Sequence, residues 1–85
     1  MSKTFQNAVE KHSSRTKRHD AIESLVQEGE TTNLGVIVRM GGLRGEFRRH
    51  ALDGLADCNA TSVLEALADD TTIEPSLRRR AEMVV

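Results

Sequence analysis

Three histidines and one cysteine are the side chains that could bind a metal ion: His12, His19, His50 and Cys58. Local metal sites recur as Cys-x2-Cys, His-x3-His or His-Glu-x2-His, because these spacings place two donor atoms on one side of a turn or helix. None of these spacings occurs in this sequence. We therefore expect neither a metal site nor a bound cofactor.

The residues that could act in catalysis are poorly placed for it. Cys58 lies between Asp57 and Asn59 at the predicted end of a helix, where the negative end of the helix dipole and a neighbouring carboxylate disfavour a reactive thiolate. The adjacent pair Asp69 and Asp70 is typical of a solvated turn.

Two further patterns lack a catalytic context. Glu28 and Glu30 also lie in a predicted turn, and the glycine-rich segment 41–45 lacks the Lys-Ser/Thr ending of a phosphate-binding loop. The sequence therefore predicts a protein that is not an enzyme.

Basic residues are the remaining candidates for binding. The positions that could contact phosphates or an acidic protein are Arg15, Lys17, Arg44, Arg48, Arg49, Arg78, Arg79 and Arg80. The whole chain is nearly neutral, with 12 basic and 13 acidic residues, and has no Trp or Tyr. This composition disfavours nucleic-acid binding by base stacking and an aromatic ligand pocket.

A period of thirty residues organises the 85-residue chain. Arg18, Arg48 and Arg78 follow it, and so do Ala21, Ala51 and Ala81. The period predicts one domain with a half unit at 3–14, unit one at 15–44, unit two at 45–74 and a partial unit three at 75–85. The alternative is a helical bundle in which helices of similar length align by coincidence.

Each unit is predicted to be a helical hairpin. Phe47, Ala51, Leu52 and Leu55 form one apolar stripe at helical spacing and predict a first helix over residues 45–58. The second helices are predicted at 33–40 and 63–69. In the half unit, Phe5, Ala8 and Val9 are predicted to face inward.

One segment has conflicting signals. Residues 35–38 are rich in β-branched side chains and favour a short strand, whereas the thirty-residue register favours a helix. Following the thirty-residue register, we predict a helix for residues 35–38.

The turns have their own signals. Gly29 and Asn59 tolerate the left-handed conformation that ends helices. The pairs Thr31-Thr32 and Thr61-Ser62 follow and are predicted to cap the second helices, with Ser62 and Glu65 as a capping box. Gly41 and Gly42 separate the units, and Pro75 is predicted to start the last helix.

Segments 47–56 and 77–82, in which an arginine precedes an inward alanine by three residues, resemble the HEAT-like repeats of phycobilisome lyases and many adaptors. The resemblance covers residues 15–85, and unit one departs from it at Gly35, Gly41 and Gly42. It implies an all-α, right-handed α-solenoid of about five to six helices that binds other macromolecules. It also implies that Arg18, Arg48 and Arg78 bind turn carbonyls or acidic side chains of a neighbouring unit.

The end of the sequence is apolar. Leu77, Ala81, Val84 and Val85 are predicted to lie uncovered and to dock onto a second copy or another protein, unless this end folds back locally. The longest apolar run, Val36 to Val38, is too short for a membrane span, and no secretory signal is expected.

These patterns favour a cytoplasmic protein-binding adaptor. Nucleic-acid or phosphate binding is the alternative, and a subunit of a chromophore lyase is the least favoured interpretation.

Overall fold

The computed structural model describes residues 3–10 and 14–85, and this part of the chain is all-helical. The helices are α1 (Lys3–Val9), α2 (Arg15–Gln27), α3 (Thr31–Val38), α4 (Gly45–Asp57), α5 (Thr61–Ala68) and α6 (Pro75–Val84). The all-α class and the number of helices are as predicted. Residues 35–38 are helical, so the repeat register was a better guide there than β-propensity.

The helices form because each has one apolar face that packs against its neighbours. α1 packs on α2, α3 on α4, and α5 on α6, while α2, α4 and α6 lie in a row with α4 in the middle. One core runs through all six helices, with Ile22, Leu25, Leu52 and Leu55 fully buried at its centre. In α1, Phe5 and Ala8 are buried as predicted, and Val9 is half-buried.

The turns that end α2 and α4 have the same conformation. Gly29 and Asn59 have positive φ angles of 68° and 56°. The amide of the residue after each of them, Glu30 or Ala60, donates to the carbonyl of Leu25 or Leu55 at 3.0 Å. This is the Schellman arrangement, and it confirms the prediction that these two residues end the helices.

The predicted caps of the second helices were wrong. α3 begins at Thr31 and α5 at Thr61, two residues earlier than predicted, and their N-cap residues are Glu30 and Ala60. Neither N-cap side chain caps its helix, and Ser62 lies inside α5 rather than at its start. The reason is that the residue closing the Schellman turn, Glu30 or Ala60, is also the N-cap residue of the next helix, so the Thr and Ser residues that follow lie inside the helix.

The last helix also corrects an expectation. Pro75 is its first residue, as predicted, but Leu77 and Ala81 are buried against the rest of the core and are not uncovered. They lie four residues apart, on the face of α6 that packs on α4 and α5. Among the described residues, the exposed large apolar side chains are Met83, Val84 and Val85, with 84%, 39% and 54% exposure.

No helix in the described residues has both the length and the apolar character needed to cross a membrane.

Candidate functional site

The row formed by α2, α4 and α6 carries a groove of about 520 Å³, which we call the first-helix groove. Its lining residues are Arg15, Thr16, His19, Glu46, Phe47, Arg49, His50, Asp53 and Arg80. Three of the predicted binding residues, Arg15, Arg49 and Arg80, therefore come together from three different helices.

Two of these arginines are paired with carboxylates across the row. Arg15 on α2 forms an ion pair with Glu46 on α4. Arg80 on α6 donates two hydrogen bonds to Asp53 on α4, at 2.7 and 2.8 Å. The Asp53 carboxylate raises the pKa of the Arg80 guanidinium. The groove is thus of mixed charge and is not a continuous basic surface.

Arg48 is not available for binding, because its side chain is only 4% exposed and is engaged within the chain. Its Nε donates to the carbonyl of Val38 at 2.8 Å, and its Nη1 donates to Glu74 Oε1 at 3.0 Å. Arg48 thereby joins the end of α3 to the N-cap residue of α6. The Val38 carbonyl belongs to unit one, whereas Glu74 belongs to unit two, the unit of Arg48 itself.

The other two arginines of the thirty-residue series have different surroundings. Arg18 donates to the carbonyl of Glu10 at 2.5 Å, and its guanidinium lies 5.0 Å from the centre of the Phe47 ring. Arg78 is half-buried. The Nε atoms of Arg18 and Arg78 are buried and have no hydrogen-bond partner among the described residues.

The remaining predicted binding residues do not form one patch. Lys17 lines a separate, polar depression with Ser14 and Asp20 between α1 and α2. Arg44 and Arg79 are exposed and do not line the first-helix groove. The basic residues predicted from the sequence are therefore distributed over several surfaces.

Sequence reasoning missed a cluster of histidines beside the groove. The rings of His19 and His50 stack with their centres 4.5 Å apart and their planes 20° apart. Nε2 of His50 lies 2.5 Å from Oε1 of Glu23. The thirty-residue register could have revealed the cluster, because it aligns α2 with α4 and places position 50 opposite positions 19 to 23.

Cys58 and the carboxylates at helix ends occupy ordinary turn environments. The Cys58 thiol is half-buried and donates to the carbonyl of Val26 at 3.4 Å. Glu28 is exposed, and a hydrogen bond with Glu30 raises the pKa of its carboxyl group, with smaller contributions from desolvation and from the charge of Glu30.

Asp70 has a structural role in the turn before α6. Its Oδ1 accepts hydrogen bonds from the hydroxyl and the amide of Thr72, at 2.5 and 2.9 Å. Its Oδ2 accepts from Nε of Arg39 at 2.9 Å. These hydrogen bonds, chiefly those from the Thr72 hydroxyl and Arg39, lower the pKa of Asp70 from 3.8 to about 2.

This lowered pKa predicts a loss of stability in acid. Because the folded chain holds Asp70 ionised more strongly than the unfolded chain, its contribution is complete above pH 3.8 and is lost as the pH falls toward about 2. We expect the midpoint of thermal unfolding, measured between pH 6 and pH 2, to fall more steeply below pH 4 for the wild type than for Asp70→Asn. Asp69→Asn, which changes the adjacent exposed residue, should decline in parallel with the wild type. Parallel curves for the wild type and Asp70→Asn would contradict the assignment.

No family model, curated protein or solved structure matches this chain in the three comparisons made.

Proposed function

We propose that this chain is a non-catalytic protein-binding module, built from HEAT-like helical hairpins that stack as a right-handed α-solenoid. The regularity of the backbone supports the proposal. α2 and α4 each have 13 residues, and α3 and α5 each have 8. The left-handed residue between the helices of each pair lies at the same position, thirty residues apart, at Gly29 and Asn59. Equal helical units in series are the building principle of such repeat proteins.

The apolar end of α6 is the observation that carries a binding role. Met83, Val84 and Val85 are the large apolar side chains that remain exposed among the described residues, and they are consecutive. They adjoin a shallow depression lined by Glu65, Asp69 and Glu82, with Val85 at its edge. An apolar patch rimmed by polar side chains is typical of a protein-binding surface.

A second copy of the chain is the partner that the packing favours. α1 packs on α2 in the same way as α3 packs on α4. Since α3 is the second helix of its hairpin, α1 also has the position of the second helix of a hairpin. α6 has the position of a first helix, and Met83, Val84 and Val85 at its end are exposed. We infer that α1 of one copy packs beside α6 of the next, which is a head-to-tail contact between unlike surfaces.

Phosphate or nucleic-acid binding is the weaker alternative. Arg48 is buried, and Arg15 and Arg80 are already paired with carboxylates. An exposed phosphate-binding surface would lose affinity steeply as salt concentration rises, whereas burial of valine and methionine side chains would not.

We expect the double substitution Met83→Ser and Val84→Ser to weaken self-association by about a hundredfold or more. A fully buried valine or methionine contributes roughly 1.5–3 kcal/mol, and each 1.4 kcal/mol corresponds to about tenfold in affinity. Sedimentation equilibrium should show the double variant at the monomer mass of 9.4 kDa at concentrations where the wild type is larger. Arg79→Ser, an exposed substitution on the same helix, is the matched control and should behave as the wild type. Equal association of the wild type and the double variant would contradict this interface.

A further inference from the structure

His19, Glu23 and His50 bring three side chains that can bind a metal ion to one point on the surface. Their ligand atoms, one from each side chain, all lie within 4.8 Å of one another. His19 and Glu23 are four residues apart on α2, so they share one face of that helix. His50 comes from α4, the next helix of the row. We propose that these three side chains bind a divalent transition-metal ion of the zinc type between α2 and α4.

The donor set selects the class of metal. Two imidazoles and one carboxylate are the ligands of many zinc sites that keep a position open, and they also suit cobalt and nickel. Magnesium and calcium prefer oxygen ligands throughout and would be bound poorly by two imidazoles. His19 and His50 also line the first-helix groove, so a fourth ligand would enter from the groove.

The geometry requires only small movements of the three side chains. Ligand atoms around a tetrahedral zinc ion lie about 3.4 Å apart, because each bond is roughly 2.0–2.2 Å long. The present atoms all lie within 4.8 Å of one another, and Nε2 of His50 and the Glu23 carboxylate, now 2.5 Å apart, would separate by about 0.9 Å to bind the ion. The side chains of His19 and Glu23 are on exposed positions and can rotate toward the ion. His50 is more constrained, since its side chain is 18% exposed, and it fixes the position of the site.

The hydrogen bond from His50 to Glu23 shows which nitrogen would bind the ion. A carboxylate only accepts, so in the neutral ring Nε2 carries the proton and donates it to Glu23. Nδ1 is buried and has no hydrogen-bond partner among the described residues. The ion would bind at Nε2, and the proton of the neutral ring would move to Nδ1, so that no net proton is released by His50. The ion would then replace one hydrogen bond between the units by three metal–ligand bonds, two to unit one and one to unit two.

Isothermal titration of the full chain with zinc chloride tests the proposal. The titration uses the Cys58→Ser variant as the parent, so that the thiol, which is the softest ligand in the chain, cannot account for the binding. We expect one zinc ion per chain and a zinc-dependent rise in the thermal midpoint. Glu23→Gln and His19→Ala should each weaken binding by more than about tenfold, since loss of even an outer-shell partner costs that much. Cobalt(II) should give a visible spectrum that His19→Ala and His50→Ala abolish.

Glu28→Gln is the matched control, because it removes an exposed carboxylate near the end of the same helix. It should bind zinc as the parent does. Two results would overturn the proposal: a parent chain that shows neither binding heat nor a rise in thermal midpoint, and binding that persists unchanged in His19→Ala and Glu23→Gln. Both of those substitutions are at exposed positions, so the test does not depend on whether His50→Ala folds.

Discussion

Replacing Arg48 by alanine should lower the free energy of unfolding by about 2–4 kcal/mol. The substitution leaves the carbonyl of Val38 buried without its donor, which costs about 1–3 kcal/mol. It also removes the aliphatic part of a side chain that is only 4% exposed, and with it packing in the core. Urea unfolding followed by circular dichroism measures the change.

Three further variants separate the causes of the Arg48 effect. Arg48→Met keeps most of the side-chain volume, so it should recover the packing but still lose about 1–3 kcal/mol from the unpaired carbonyl. Glu74→Gln should cost less than about 1 kcal/mol, because the Glu74 side chain is 61% exposed. Arg49→Ala is the matched control: it is the exposed neighbour on the same helix and should stay within about 0.5 kcal/mol. Equal stability of Arg48→Met and the wild type would show that the hydrogen bond to Val38 is unimportant.

Gly54→Ala should destabilise the protein by up to about 2 kcal/mol, although Gly→Ala inside a helix usually stabilises by about 1 kcal/mol. Gly54 is buried in α4, and a β-carbon there would overlap Cγ2 of Val26 on α2. Valine is stiff and cannot turn its methyl group away at low cost. Overpacking of this kind costs about 1–3 kcal/mol, which exceeds the gain in helix propensity.

The overlap can be tested by a double-mutant cycle measured by urea unfolding. Val26→Ala should relieve the overlap. The free energy of unfolding of the double variant should therefore be about 1 kcal/mol higher than the value obtained by adding the effects of the two single substitutions. Gly41→Ala is the control for glycine replacement, because a β-carbon at Gly41 would meet nothing within 4 Å. A stabilising Gly54→Ala would show that α2 and α4 are not in close contact at this point.

The sequence predicted the helices well because their signals are local and are repeated. The stripe through Phe47, Ala51 and Leu55 predicts α4 almost to its ends, and the thirty-residue register correctly favoured a helix at residues 35–38. Gly29 and Asn59 were identified as helix ends because few residue types tolerate a positive φ.

What the sequence failed to predict depends on contacts between helices. Thr61 and Ser62 are ordinary cap residues, but the Schellman turn before them takes the cap position. Leu77 and Ala81 were expected to be uncovered, but they are buried. The prediction was wrong because the residues of α6 alone do not show that this helix packs on α4 and α5.

The His19–Glu23–His50 cluster was missed for a related reason. A search for short ligand spacings cannot find donor atoms that lie on two helices. The sequence identifies the candidate basic residues, but it does not show which of them are free to bind. Only the structure shows that Arg48 is buried and that Arg15 and Arg80 are paired with carboxylates.

Light scattering across a range of protein and salt concentrations tests the proposed function most directly. A protein-binding module that associates through the apolar end of α6 should show a mass that rises above 9.4 kDa with protein concentration and changes little with salt. A mass that remains at 9.4 kDa at the highest concentration would contradict self-association. Association that disappears as salt is raised would instead assign the contact to charged side chains, against the interface proposed here.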